Sequence, residues 1–563
     1  MRKIINEPVD FVDEVLAGIV AAHPSDYRFG SSDRRTVVAN NAPVAGKVGI
    51  VTGGGSGHLP LFLGYVGRGL ATGVAVGNVF SSPSPDQIFE ATRAVDGGAG
   101  VLYLYGNYGG DVYNFDLAAE RAATTGIRTT TVLGHDDILS APTEAAATRR
   151  GVAGLVFAYK VAGAAAERGD DLDTVTRLAR KVSDATRTAG VGLAPTILPA
   201  AGRPTFELGD GEMEIGVGIH GESGVATVPI APARDIADDL FARMRNEVGI
   251  EPGARLAVLV NGLGATPLEE LYLLYGRIAE LTADADAEIA WNFIGEYATS
   301  LEMAGASISL LRLDDELEAL LAAPASSPFW KPGSAVVSVA ATARGDDAAP
   351  TPAAEIATTT FESPIRAAVL ELARTLPPYT EELRDLDAAL GDGDLGITVS
   401  TGVAAMAERV NALPKNGVSS ALLREIAMAF ASANPSTFAA LIGSGLLSAS
   451  TIVDDSRSLD RVAAIAIGRK IADAISLRGG AQLGDKTLLD VLVPALDELE
   501  KDPDSSEFHE FLTRRIEDVA ALRSARGRAA WHQDRSIGLK DPGSVATAYA
   551  LMSLVSASRS EGV

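Results

Sequence analysis

Two of the six histidines stand where an imidazole is easy to reach. His58 closes Gly53-Gly-Gly-Ser-Gly-His58, and His220 lies within Gly216-Val-Gly-Ile-His-Gly-Glu222. Flanking glycines let another molecule approach the backbone and leave the ring accessible. A histidine that merely satisfies a hydrogen bond in a tight turn would look the same, but two such placements among so few histidines favour chemistry. Asp111 follows Gly109-Gly110 and could accept a proton from a hydroxyl. Taken alone it reads better as a cap for the helical pattern that begins at Val112. The sharpest local signal is Asp387-Ala-Ala-Leu-Gly-Asp392-Gly-Asp394. Carboxylates alternating with glycine can turn toward one point, and hard cations such as Mg²⁺ take oxygen ligands. The bland alternative is a solvated Asp-Gly turn; the clustering favours a metal.

Other glycine-rich stretches are weaker. Gly53–Gly57 could cradle phosphate, yet His58 stands where a dinucleotide fingerprint needs its last glycine. Gly480-Ala-Gln-Leu-Gly-Asp-Lys-Thr487 is too short for a P-loop, with Asp485 between Gly484 and Lys486. Ile442-Gly-Ser-Gly-Leu446 offers either a phosphate site at a helix start or small residues for close helix packing, and both readings stand. Asp541-Pro-Gly543 reads first as an N-cap with proline behind it.

The elements that must position these residues change along the chain. Lys47–Thr52, Gly100–Tyr105, Arg128–Leu133 and Arg255–Val260 are apolar runs ending in turns, with helical patterns between them. They predict an α/β domain over residues 1–335, with ligands beyond the carboxyl ends of its strands. Small residues and proline over 341–360 mark a linker, placed at 336–360. Over 361–563 the apolar spacing turns helical, as in Leu488, Leu489, Leu492 and Leu496, with Asp485 as a candidate N-cap.

Composition narrows the function. The net charge of −25 repels phosphate backbones and anionic surfaces, against nucleic-acid or membrane partners. The absence of cysteine excludes disulfides, thiolate zinc sites and a cysteine nucleophile, and fits a cytoplasmic protein. Neither a signal-peptide pattern nor an apolar run of membrane-spanning length is present.

In this order the motifs resemble the single-chain dihydroxyacetone kinase family. The resemblance runs through Gly53–His58, Gly77-Asn-Val-Phe-Ser-Ser-Pro-Ser84, Gly106–Asp111, Ile219–Glu222 and Thr299–Met303. After the linker come Gly391–Asp394, Gly484–Thr487, Gly527-Arg-Ala529, Arg535–Gly538 and Asp541–Gly543. It implies two α/β subdomains followed by an all-α helical barrel, and an ATP-dependent kinase acting on the terminal hydroxyl of a short ketose. His220 would hold the ketone as a covalent hemiaminal, Asp111 would take the hydroxyl proton, and His58 would assist. Gly55, Ser56, Gly57, His58, Asn107 and Asp111 would bind the sugar. Asp387, Asp392 and Asp394 would hold two Mg²⁺ ions across the ATP phosphates. Ser444, Gly445, Arg528, Asp541 and Gly543 would bind the nucleotide. Members of this form are homodimers in which one subunit's helical domain covers the other's sugar site. Leu59, Asn78, Leu395 and the Leu441–Gly445 stretch depart from the family pattern. The first two remove carboxylates near the sugar and lean the reading toward a four-carbon ketose of the erythrulose type, with dihydroxyacetone close behind. Two other functions fit the scaffold: a ligand sensor without catalysis, and a lyase that cyclises flavin-nucleotide esters.

Overall fold

The structure, a computed structural model, describes residues 3–336, 356–360, 362–456 and 458–560. The chain divides into two compact units, Met1–Thr342 and Ala343–Val563. Most of the stretch expected as a linker, 337–355, lies outside the described residues.

The first unit holds two sheets. One has six strands in the order Tyr27–Phe29, Thr36–Ala39, Gly73–Val79, Gly49–Ser56, Val101–Gly106, Thr129–Gly134. The last four of these pair in parallel. Helices Pro85–Val95, Gly109–Thr124, Leu155–Arg168 and Leu172–Ala185 pack against them. Strands covered in this way carry continuous apolar side chains, and Val101–Gly106 is buried throughout. Parallel pairing has a consequence for chemistry. The segments leaving Gly49–Ser56, Gly73–Val79 and Val101–Gly106 all emerge at one edge of the sheet, and they carry His58, Phe80–Ser82 and Asn107–Asp111.

Gly53, Gly54 and Gly55 lie inside a strand rather than in the loop expected for them. Their neighbours explain it. A β-carbon on Gly53 would lie 2.8 Å from the Ala75 carbonyl oxygen, one on Gly54 would overlap the Phe62 ring, and one on Gly55 would lie 2.6 Å from the Ser81 nitrogen. The glycines admit close packing, and the turn itself falls to Gly57, at φ +104°.

The second sheet runs Ser334–Ala335, Glu288–Gly295, Arg255–Gly262, Ala304–Leu313, Thr186–Ala194, Glu212–Ile215, Ala226–Pro229. Apart from the parallel pair Arg255–Gly262 and Glu288–Gly295 it is antiparallel. Helices Ala233–Val248 and Leu268–Asp284 pack on it. Its end strands, Glu212–Ile215 and Ala226–Pro229, form a hairpin whose connecting loop carries His220.

The regular elements described in the second unit are helical: Pro364–Thr375, Thr380–Leu390, Leu395–Ala412, Ser419–Ala433, Thr437–Ala449, Arg461–Gly479, Leu489–Leu499, Ser505–Ala520 and Pro542–Ser560. Leu395, Val399, Val403, Met406 and Val410 show why, since these buried residues recur every three or four positions along one helix face. From Leu395–Ala412 onward each helix packs on its successor, and the final helix returns to pack on Pro364–Thr375. The helices therefore close a ring.

Candidate active site

His58 and His220 meet although they come from different sheets. Their rings stand edge to face with centroids 4.8 Å apart. His58 is buried and stacks on Phe80 at 4.8 Å, with Phe62 edge-on at 6.0 Å. Its Nδ1 lies 2.8 Å from the Thr299 carbonyl oxygen. A carbonyl can only accept, so Nδ1 carries the hydrogen and Nε2 keeps its lone pair. That Nε2 is buried with no hydrogen-bond partner. Burial, and then the charge of His220, push the ring's pKa down to about 3, so it stays neutral.

His220 is held by the same logic. Its Nδ1 donates to Glu222 Oε1 at 2.9 Å, and its backbone N–H donates to Glu222 Oε2 at 3.0 Å. Nε2 keeps its lone pair, without a hydrogen-bond partner among the described residues. Tyr108 and Phe80 stand edge-on to the ring at 4.7 and 5.3 Å. Although burial works to raise it, Glu222 is held down to about 2 by the hydrogen bond and charge of His220 and the charge of Arg150.

Asp111 sits in the first turn of Gly109–Thr124 without serving as its cap, since that position belongs to Tyr108. Its carboxylate is buried, and Oδ1 has no partner. Burial raises its pKa to about 6, against a Ser82 hydrogen bond and the charge of His220. A carboxylate poised there can both receive and release a proton near neutrality. Asn107 uses its amide hydrogens on the carbonyls of Ala147 and Arg149, at 3.0 and 2.9 Å, so its carbonyl oxygen is what it can offer a ligand. Strain gathers here too: Phe62, Phe80 and Leu301 all adopt positive φ around the Gly57–His58 turn.

In the helical unit, Asp387, Asp392 and Asp394 bring one carboxylate oxygen each within 4.8 Å of the others. Asp387 Oδ2 accepts from the backbone N–H groups of Asp394 and Leu395, at 2.9 and 3.3 Å. It thereby caps the helix Leu395–Ala412. Asp394 holds the N-cap position, yet its side chain makes no capping bond. The three acids thus converge as donors of hard oxygen.

Two sequence expectations for this unit change. Gly443, Ser444 and Gly445 lie in the middle of Thr437–Ala449, where backbone N–H groups are committed to the helix, so they form no phosphate cradle. The glycines serve packing: a β-carbon would lie 2.8 Å from Ala431 at Gly443 and 2.7 Å from Ile471 at Gly445. The actual helix start is capped by Ser436, whose Oγ accepts from Ala439 N at 3.1 Å. Asn434 donates to Thr398 Oγ1 at 2.7 Å, and Thr398 reaches Ser436. Because Thr398 is one turn beyond Asp394, this helix start stands beside the acidic turn. Asp485, expected as an N-cap, instead accepts from Gln482 N and Arg526 Nε at 2.9 and 3.0 Å. Asp490 shapes the turn, accepting from Gly484 N and Thr487 N at 2.5 and 2.8 Å.

Asp541 does cap its helix, with Ser544 N donating at 2.7 Å, and burial pushes its pKa up to about 6. Nearby, buried Lys486 donates to the carbonyls of Ala520, Leu522 and Ser536 at 3.0, 3.0 and 2.6 Å. Ser544 Oγ donates to the Thr487 carbonyl at 3.0 Å, and Gly543 lies against Phe438 in the first turn of Thr437–Ala449. The acidic turn, the Ser436 helix start, the Gly484–Thr487 turn and Asp541 therefore share one end of the ring. Arg528 opens a 3₁₀ turn, Arg528–Ser536; its side chain lies outside the described residues.

Comparison with known proteins matches residues 17–329 to the Dak1 domain and residues 389–556 to the DAK2 domain. The chain belongs to the dihydroxyacetone kinase family. It is 39% identical to L-erythrulose 1-kinase of Mycolicibacterium smegmatis over 98% of this chain and 99% of that one. It is 37% identical to D-erythrulose kinase of the same organism, over 97% of each chain. Among solved structures it resembles dihydroxyacetone kinase from C. freundii in complex with AMP-PNP and Mg²⁺, with TM-score 0.62 and 26% identity over 99% of both chains.

Within this dihydroxyacetone kinase family chain, sequence reasoning did not single out Glu222, Ser82 or Tyr108 among the site residues, nor Thr398, Asn434 and Ser436 at the other end. Glu222 carried a signal, standing two residues after His220 on a glycine-rich loop. Ser436 carried one as well, since a serine before an apolar run is an N-cap pattern.

Proposed function

We propose that this protein is an ATP-dependent kinase that captures a short ketose on His220 and phosphorylates its terminal hydroxyl. The observation that carries the reading is the His220–His58–Asp111 arrangement. One imidazole has its lone pair directed away from its carboxylate anchor, a second imidazole is locked neutral, and a buried carboxylate has an unpartnered oxygen.

His220 Nε2 forms the bond to the ketone carbon as the carbonyl π pair moves to oxygen. The oxygen takes a proton from water, and the Nδ1 proton leaves along the Glu222 hydrogen bond to solvent, so the hemiaminal ends neutral and Glu222 remains a carboxylate. An alcohol such as glycerol has no carbonyl to capture. Asp111 then takes the proton of the terminal hydroxyl as that oxygen attacks the γ-phosphorus and ADP departs. His58 Nε2 can only accept, so it receives a hydrogen bond from the sugar and orients it.

Asp387, Asp392 and Asp394 fit a hard cation, because all three are oxygen donors and the capping of the following helix rests on one oxygen of Asp387. Mg²⁺ held there would neutralise phosphate charge, and ATP would supply the phosphoryl group. The start of Thr437–Ala449, with Ser436, is the better candidate for phosphate contact than Ser444. Asp541 and Gly543 stand beside it, and we assign Arg528 to the nucleotide as well. A tetrulose of the erythrulose type is the preferred ketose, in line with the relatives' substrates and with Leu59 and Asn78. We infer also a homodimer in which the helical unit of one copy serves the ketose site of the other.

The deciding experiment is a coupled ADP assay across dihydroxyacetone, D- and L-erythrulose, glyceraldehyde and glycerol. Turnover with a short ketose and none with glycerol is expected; equal turnover with glycerol overturns the capture step.

A further inference from the structure

Arg150 touches none of the groups expected to react, yet it is tied to the loop that carries one of them. Its Nε donates to Asp137 Oδ2 at 2.9 Å, and one terminal nitrogen lies 2.8 Å from the same oxygen. That terminal nitrogen also donates to the Gly216 carbonyl at 3.0 Å. The other terminal nitrogen lies 3.8 Å from Glu222 Oε2. Asp137 is buried, and its second oxygen accepts from Leu139 N at 3.1 Å, so the guanidinium is fixed from behind. Gly216 opens the His220 loop at φ +81°, and Gly221 turns it at φ +82°. A β-carbon on Gly218 would overlap both the Arg150 guanidinium and the Glu222 carboxylate, so those two groups pack directly on the loop backbone.

We propose that Arg150 is a positioning residue for ketose capture, acting through Glu222 and the Gly216 carbonyl to keep His220 as the Nδ1–H tautomer with Nε2 bare. The inference rests on the capture reading above. Without the guanidinium the Glu222 carboxylate, whose side chain is 36% exposed, is free to turn toward water. His220 then loses the acceptor that fixes its hydrogen on Nδ1, and a hydrogen on Nε2 removes the attacking lone pair. The change removes the guanidinium's bonds to Asp137 and Gly216 and its charge beside Glu222, and none of these involves Asp111.

The test uses the full-length chain with ¹⁵N-labelled histidine, whose six residues give a tractable spectrum; His220 is assigned by its loss in H220A. In the wild type His220 shows a protonated Nδ1 and a bare Nε2. In R150M an Nε2–H population is expected to appear, with ketose KM raised about tenfold and kcat at saturating ketose within about threefold. R150K keeps the charge without the fork and should fall between; if R150M does not fold, R150K is read by the same criteria. An unchanged His220 tautomer overturns the proposal, and so does equal damage to the KM values for ketose and ATP and to kcat. Failure of the capture reading itself looks different: H220A would then still turn ketose over, whatever the tautomer.

Discussion

Asp111, the proposed base, would join stability to catalysis in one side chain. Its carboxyl titrates near 6 in the folded chain against an ordinary 3.8, first because it is buried. Folding therefore disfavours the ionised form; the cost is fully present above the folded pKa and vanishes below 3.8. Asp111→Asn should stabilise the fold at pH 8 by on the order of 1–3 kcal/mol, with the gap closing as pH is lowered toward 4, as read by thermal melts. As the proposed base, the same residue would set activity in the opposite sense. A base must be ionised, so kcat/KM for the ketose should fall as pH drops through about 6. An acid limb unaltered in Asp111→Asn would remove Asp111 from the role. His220→Ala should abolish capture, followed by ¹³C NMR of a ketose labelled at the carbonyl carbon.

Among the elements, the helix Thr437–Ala449 separates two uses of small residues. Its middle glycines admit neighbouring helices, whereas its start offers free N–H groups. Ser436→Ala should cost about 1 kcal/mol of stability through the lost cap and raise the ATP KM several-fold. Ser444→Ala should leave that KM within about twofold. A larger effect at Ser444 would restore the mid-helix site. Gly443→Val should destabilise the helical unit by about 1–3 kcal/mol, since its β-carbon would meet Ala431 at 2.8 Å and the Ala427 carbonyl oxygen at 2.9 Å; urea unfolding checks it.

For the whole molecule, the proposed division of labour predicts that the two halves of the reaction can be parted. Capture, as proposed, would need only residues of Met1–Thr342, while the acidic turn belongs to Ala343–Val563. Chelation of Mg²⁺, or Asp394→Asn, should therefore stop ADP formation while the labelled ketone carbon still shifts to its hemiaminal position. Loss of the hemiaminal signal on chelation alone would tie capture to the metal. Among the described residues no helix is long and apolar enough to cross a membrane.

The sequence alone determined what depends on neighbours in the chain. The acidic turn is legible because its carboxylates lie within eight positions, so one turn of backbone converges them. The strands over residues 49–52, 101–105 and 256–260 are legible because burial on both faces demands unbroken apolar runs. Only the tertiary structure decided the meeting of His58 with His220, which arrive from two sheets and 162 positions apart. It also decided that the glycines at 53–55 are strand and those at 443 and 445 are helix. A glycine records that something comes close, and the identity of that something is set by distant packing. The tautomers of both histidines have the same origin, fixed by a carbonyl at Thr299 and a carboxylate at Glu222 whose positions follow from the assembled sheets.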